Sequence, residues 1–348
     1  MIHKTLCLSV LLSVFLLAFS HPTFAASGEE DKTGFIMHHI KDSHEWHFAT
    51  FGHTHITLPL PIIVYSQDRG FEFYSSSDFK DPLTHTFGEE YEGYYIDDHD
   101  KLKAVDESRS FIDLSITKNV AMLFIVIAVM LYLLLSSSKY YKKNPASAPK
   151  GIASFIEPIV IFVRDEIALP NIGPRYKHFT PYLLTLFFFI WIGNLLGLVP
   201  GAANLTGNIA VTVTLAIITF LITNFNGNKE YWKHVFATPG VPWPLLFIIV
   251  PVEIIGLFTK PFALTVRLFV AITAGHIVIL SFIGLIFVFE SYAVGVASTL
   301  MVIFINIIEL LVATIQAYVF TLFSAMYIGS AVAEHSYGKD QHSFAKDH

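Results

Sequence analysis

From Val241 to Phe289 the chain runs for about 49 residues with Glu253, Lys260 and Arg267 as its only Asp, Glu, Lys or Arg side chains. A bilayer accommodates such a run, because one helical crossing takes ~20 apolar residues. At ~1.5 Å per residue it would make a helix of roughly 70 Å, and the next apolar stretch, Ser291–Tyr327, one of roughly 55 Å, against a hydrocarbon core of ~30 Å. Either these helices break, with Pro251 and Pro261 as punctuation in the first, or they cross steeply. Excess apolar length is absorbed by inclination, so the expectation is two long, strongly tilted helices forming a hairpin.

Val120–Leu135, Thr180–Val199 and Ile209–Thr223 are further apolar runs of spanning character. With 53% hydrophobic and 14% charged residues overall, the chain reads as an all-α polytopic membrane protein of about five membrane helices. Lys139, Lys142, Lys143 and Lys150 follow the first span at once, which places that end in the cytoplasm. Thr180–Val199 then crosses outward, Pro200-Gly201 marks the outer turn, and Lys229, Lys233 and His234 mark the inside again. Ile152, Phe155, Ile156, Ile159 and Val163 recur at helical spacing with Glu157, Arg164 and Asp165 elsewhere. That pattern suits a helix lying on the cytoplasmic surface, or a plain linker helix.

The first residues follow the export pattern: Lys4, an apolar stretch Leu6–Phe19, then small residues at Thr23 and Ala25. The expectation is a signal peptide over residues 1–25, with an uncleaved first helix as the alternative. Residues 26–112 then form a small exported domain, acidic and His-rich, in which Ile56–Tyr65 and Phe71–Tyr74 read as strands; residues 113–348 form the membrane domain. His38, His39, His44, His47, His53 and His55 crowd beside Asp42 and Glu45, a clustering that can bind zinc or copper and that equally suits loop and surface residues of a cap; no metal is expected. The net charge of −6, concentrated in the exported segment, argues against nucleic acid as a partner. Cys7, the single cysteine, lies in the first apolar stretch, so no disulfide is expected. The chain has no Gly-x-x-x-x-Gly-Lys-Ser/Thr loop to cradle phosphates, so neither an ATP site nor a cofactor is expected.

Ionisable side chains within a span cost at least ~2.5–3.5 kcal/mol and usually face water or a partner. Glu253, Lys260 and Arg267 follow at steps of seven, which keeps them on one helix face. His276, nine residues beyond Arg267, falls on the opposite face ~13 Å further along the axis. In the last helix Asn306, Glu309, Ala313 and Gln316 recur at three- and four-residue spacing as a polar seam. A histidine titrates near neutral pH and desolvation raises a carboxyl towards that range, so His276 and Glu309 suit proton transfer, whereas a guanidinium keeps its charge. Duller roles exist for several of these residues. Lys260 could snorkel to the head groups, Glu253 could be its structural partner, and Asn306 and Gln316 could bond neighbouring helices.

Glu253 to Phe269 reads E-I-I-G-L-F-T-K-P-F-A-L-T-V-R-L-F, which resembles the segment of ATP synthase subunit a that carries its essential arginine, with Arg267 at that position. Asn194-Leu195-Leu196-Gly197-Leu198-Val199-Pro200, the run Thr206–Thr214, Ala274-Gly275, Gln316-Ala317-Tyr318 and the closing Tyr327 to Glu334-His335 follow the family in order. Val270 and Ala271 stand where many relatives have Gly-Asn or Ala-Asn. His276 and Glu309 look exchanged relative to those that carry Glu and His at these places.

The resemblance implies a non-catalytic stator subunit of a rotary ATP synthase in a bacterial inner membrane, partnered by a c-ring, peripheral stalk b subunits and the rest of the complex. Its site would be Arg267 as the gate facing the c-ring carboxylate, with His276, Glu309, Gln316, Asn306 and Glu253 on the proton path and Lys260 and Asn194 in secondary roles. The competing reading is a stand-alone ion channel or secondary transporter, which internal repeats would favour.

Overall fold

The computed structural model describes residues 42–51, 54–81, 87–97, 100–106, 109–144, 148–199, 201–236, 243–289 and 291–333. The expected signal peptide, His38, His39 and His53 lie outside the described residues, as do the side chains of His47 and His55.

Seven short strands precede the helices: β1 Glu45–Phe51, β2 Thr54–Pro59, β3 Pro61–Ser66, β4 Gly70–Ser75, β5 Tyr94–Ile96, β6 Leu102–Ala104 and β7 Phe111–Asp113. They pair as β1-β2, β4-β3-β7 and β5-β6, all antiparallel. The run expected as one strand, Ile56–Tyr65, is divided at Leu60. Pro59 and Pro61 flank it and lack ladder donors, while the N–H of Leu60 donates to Ser76 Oγ and its carbonyl accepts from Ser76 N, both at 3.0 Å. The chain therefore leaves one sheet and enters another.

The helices are α1 Lys118–Lys143, α2 Ile152–Phe162, a π-helical turn Val163–Ala168, α3 Leu169–Ile172, a 3-10 turn Gly173–Arg175, α4 Tyr176–Gly197, α5 Ile209–Phe225, α6 Lys229–Phe236, α7 Trp243–Phe289 and α8 Tyr292–Val332. Among the described residues four helical stretches, Lys118–Lys143, Ile152–Gly197, Pro244–Ile286 and Tyr292–Val332, are long and apolar enough to cross a membrane. A fifth is added if α5 and α6, bent by 104°, count as one. The chain is thus a multi-pass membrane protein. Helix α7 stays helical over 47 residues although Pro251 and Pro261 lie inside it, which bilayers tolerate because neighbouring polar groups re-satisfy freed backbone atoms.

The chain divides into two compact units. The first holds the strands, α1 as far as Val129, Ile192–Asn208 and Ala271–Thr314. Its strand core is Ile62, Val64, Phe79, Tyr94, Ile96 and Leu102, with Tyr74 and Phe111 packed against it. The strands are bonded to the start of α1. Asp42 Oδ2 accepts from the Thr117 hydroxyl at 2.8 Å and Oδ1 from Asn119 N at 3.2 Å, an anion at a helix N-terminus where the backbone dipole favours one. Lys118 N donates to Ser43 O at 3.0 Å, and Trp46 Nε1 donates to Gly201 O in the turn after α4 at 2.7 Å.

The second unit holds Met130–Trp191, Ile209–Val270 and α8 from Ile315 onward. Small residues on α8, Ala317, Ser324, Ala325 and Ala331, are buried, and small residues let membrane helices approach closely. The tightest approach is at Gly329, where a Cβ would sit 1.9 Å from the Asn171 carbonyl oxygen, so only glycine fits. Helix α5 is inside out by soluble standards: Thr212, Ala216, Thr219 and Thr223 are buried, whereas Ile217, Leu221 and Phe225 are exposed. In hydrocarbon the polar side turns inward and the apolar side meets lipid.

Candidate functional site

In the first unit the two proton-capable side chains meet. His276 Nδ1, on α7, and Glu309 Oε1, on α8, lie 2.6 Å apart. Glu309 is 3% exposed, and its second carboxylate oxygen, Oε2, is buried without a partner among the described residues. Such a carboxylate has bonding capacity to spare for an arriving proton or water. Gly275 is what makes room for it, since a Cβ there would stand 3.0 Å from Glu309 Oε1 and 3.1 Å from Cδ. The Ala274-Gly275 pair thus has a steric reason: the residue before His276 must leave the carboxylate its place.

The same unit brings Asn194 to α8. Its Nδ2 donates to the Ala313 carbonyl at 3.1 Å, one turn beyond Glu309, and its Oδ1 accepts from the Thr206 hydroxyl at 2.6 Å. Asn194 is 2% exposed, so every bond it makes is made out of water, where an unmade one is costly. Asn204 Oδ1 in turn accepts from Gly207 N at 3.1 Å, which fixes the loop that presents Thr206. Asn306 donates to Val302 O of its own helix at 3.0 Å, so among the described residues its amide back-bonds α8 and does not join it to a neighbour.

In the second unit Arg267 projects from α7 as an exposed side chain. Its guanidinium stacks over the Phe323 ring of α8 at 4.3 Å, and among the described residues no carboxylate pairs with it. A stacked, unpaired arginine is oriented while its charge remains free for an outside anion. Lys260 Nζ lies over the Tyr327 ring at 5.5 Å. Glu253 faces His234, at 3.8 Å from Nδ1, and forms no ion pair with Lys260. Gln316 is half-buried on α8. Sequence reasoning did not find the hydroxyl chain beside these residues. Tyr182 OH lies 2.7 Å from Thr219 Oγ1, which lies 3.4 Å from Ser324 Oγ. One turn on, Thr223 Oγ1 is buried and unpartnered, lining a cavity of about 10 Å³ with Thr219, Tyr231, Lys260 and Tyr327, room for about one water. The heptad-like spacing of Thr212, Thr219 and Thr223 in α5 was the available signal.

Among the described residues no group of three or more His, Cys, Asp or Glu side chains is placed to hold a metal ion. The buried ring of His44 lies 3.9 Å from Asp113 Oδ2.

Known proteins resemble most of the chain. The family model described as ATP synthase A chain matches residues 120–329, and a second, described as a domain of unknown function, matches residues 35–123. The chain is 50% identical over 240 residues to ATP synthase subunit a of Chloroherpeton thalassium, covering 68% of this chain and 72% of the relative. It is 41% identical over 325 residues to ATP synthase subunit a 2 of Chlorobaculum tepidum, covering 91% and 78%, and 43% identical over 317 residues to ATP synthase subunit a 2 of Chlorobium luteolum, covering 88% and 78%. With the family match spanning more than half its length, the chain belongs to the ATP synthase A chain family.

Proposed function

We propose that this chain is the proton-translocating stator subunit of a rotary ATP synthase, with Arg267 as the charge that couples proton flow to rotation. The observation that carries this reading is Arg267 itself: an exposed guanidinium on an apolar helix, held against Phe323, with no carboxylate of the described residues beside it. A charge so placed in hydrocarbon calls for an anion from another chain, and a carboxylate on a ring of partner helices supplies one. Helix α7 has surface to offer a partner, for only 11% of its apolar 18-residue stretch is buried within the chain, against 56% for the corresponding stretch of Ile152–Gly197.

In this reading protons enter from outside through a hydrated half-channel at His276 and Glu309, with Asn194, Asn306 and Gln316 along it, and pass to a ring carboxyl group. The neutral carboxyl enters lipid and the ring turns. After nearly a full revolution the carboxyl releases its proton into a second half-channel towards Glu253 and passes Arg267 ionised. The fixed positive charge favours the carboxylate and bars a direct proton leak between the half-channels. The membrane potential supplies ~2.3 kcal/mol per charge per 100 mV. Helices α7 and α8 form the tilted hairpin that follows the ring, the basic loops face the cytoplasm, and residues 26–112 lie outside the inner membrane. Peripheral stalk subunits hold the chain still, and nucleotide chemistry belongs to other subunits.

A cysteine at Val270, 49% exposed and close to Arg267 on α7, carrying a photoactivatable crosslinker, tests the partnership. Capture of a small ring-forming membrane subunit supports the reading. A chain that purifies alone and captures nothing overturns it and favours a stand-alone channel or transporter.

A further inference from the structure

The sheet β4-β3-β7 is apolar on both faces, and only one of them has a core to cover. Ile62 and Val64 point into that core and are 0% exposed. On the other face Ile63 pairs with Phe73 and Tyr65 with both Phe71 and Ile112. Directly opposed residues of antiparallel strands share a face, so these five side chains form one patch. Leu114, two residues after Ile112, extends it, and its N–H continues the ladder to Ile63 O at 2.9 Å. Phe73 is 70% exposed, Phe71 63%, Ile112 58% and Leu114 50%; the Tyr65 and Phe71 rings lie 4.9 Å apart. A contiguous exposed surface of this kind, without a charge at any of its six positions, marks an interaction site.

We infer that this face rests on the outer surface of the lipid bilayer, with Phe71, Phe73 and Ile112 entering the head-group and acyl boundary. The occupant follows from where the patch stops. Leu114 to Thr117 are the only residues between β7 and α1, and four extended residues span at most ~14 Å. The link is pinned, for Ile116 N donates to Pro61 O at 3.1 Å and Asp42 caps the first turn of α1. The apolar face is therefore continuous with a helix whose own exposed side chains, Phe124 and Ile125, meet lipid. A sheet lying face down satisfies bilayer chemistry, since its three strands bond one another and only side chains leave water. The ionic side chains of these strands, Glu72 and Asp113, alternate onto the other face, where Glu72 accepts from Tyr94 OH at 2.8 Å. The contact is apolar, so it persists at high salt. The inference does not depend on the proton pathway.

The test uses the full chain in its complex, reconstituted into phosphatidylcholine and phosphatidylglycerol vesicles. With Cys7→Ser as background, spin labels are placed at Phe73→Cys, at Ile112→Cys and, as a control in the β3-β4 turn, at Asp68→Cys, whose side chain is 74% exposed. Power saturation then compares oxygen, which concentrates in lipid, with a water-soluble nickel chelate. The expected result is several-fold higher accessibility to oxygen than to nickel at Phe73 and Ile112, unchanged in 1 M salt, and the reverse at Asp68. High nickel accessibility at either patch position would mean that the face is open to water. Low accessibility to both reagents would mean that protein covers it, whether another subunit or the residues preceding Asp42. Either outcome overturns the inference.

Discussion

Replacing His276 by alanine removes the only hydrogen-bond partner that Glu309 has among the described residues, because Oε1 bonds His276 and Oε2 bonds nothing. A hydrogen bond to a charged group contributes about 1.5–3 kcal/mol, and stripping the partner from a fully buried charge costs about 3–5 kcal/mol. The Glu309 side chain is 2% exposed, so His276→Ala should destabilise by about 3 kcal/mol, on the buried-charge estimate. Glu309→Leu alone leaves an imidazole that is 17% exposed and can turn to water, a loss of about 1 kcal/mol, the scale of one ordinary hydrogen bond. In the double variant the stranded charge is gone, and apolar replacement of a buried pair is often nearly neutral, so the total should also be about 1 kcal/mol. The coupling is then about 3 kcal/mol, at the top of the range for residues in contact. Equilibrium unfolding in mixed detergent micelles reads the stabilities, and ATP-driven acidification of membrane vesicles reads the function. The double variant should recover most of its stability and none of its pumping. Stabilities that add within about 0.5 kcal/mol, or a double variant that pumps normally, would refute the reasoning.

Three further outcomes follow from individual contacts. Gly275→Ala places a Cβ 3.0 Å from Glu309 Oε1, so overpacking should cost about 1–3 kcal/mol and slow pumping, and the slowing should be relieved by the shorter Glu309→Asp in the same chain. Trp46→Phe deletes the 2.7 Å bond to Gly201 O and should raise the protease sensitivity of the strand-rich segment while leaving the helices intact, as read by limited proteolysis of vesicles. Burial, and then the bond its hydroxyl donates to Glu72, raise Tyr94 above its ordinary pKa of 10.0. A folded pKa above the unfolded one leaves stability intact below pH 10.0 and removes it as pH climbs through the folded value. The strand-rich segment should therefore melt earlier above that pH, and Tyr94→Phe should flatten the decline.

The membrane architecture was legible because length and apolar character need no partner to be read: α7 and α8 stand almost where the uninterrupted runs lie. That His276 and Glu309 stand out was legible because a titratable residue in such a run requires a reason, and the structure brings the two together at 2.6 Å. Partners separated by long stretches of chain were not. Nothing local ties Asn194 to the Ala313 carbonyl, which is 119 residues away, and nothing local brings His234 of α6 to within 3.8 Å of Glu253. The buried threonines of α5 stayed hidden because Thr is nearly neutral in hydropathy, so the inward face of that helix differs little from its outward face. Leu60 looks like mid-strand in the apolar run Ile56–Tyr65, and only the prolines on either side of it signal the break.

In the proposed function the charge of Arg267 keeps inlet and outlet apart while allowing the ring to turn, so Arg267→Ala should break the coupling. In membrane vesicles ATP-driven proton pumping should fall to background while passive proton leak through the membrane sector rises. Pumping at the normal rate, with no added leak, would contradict it.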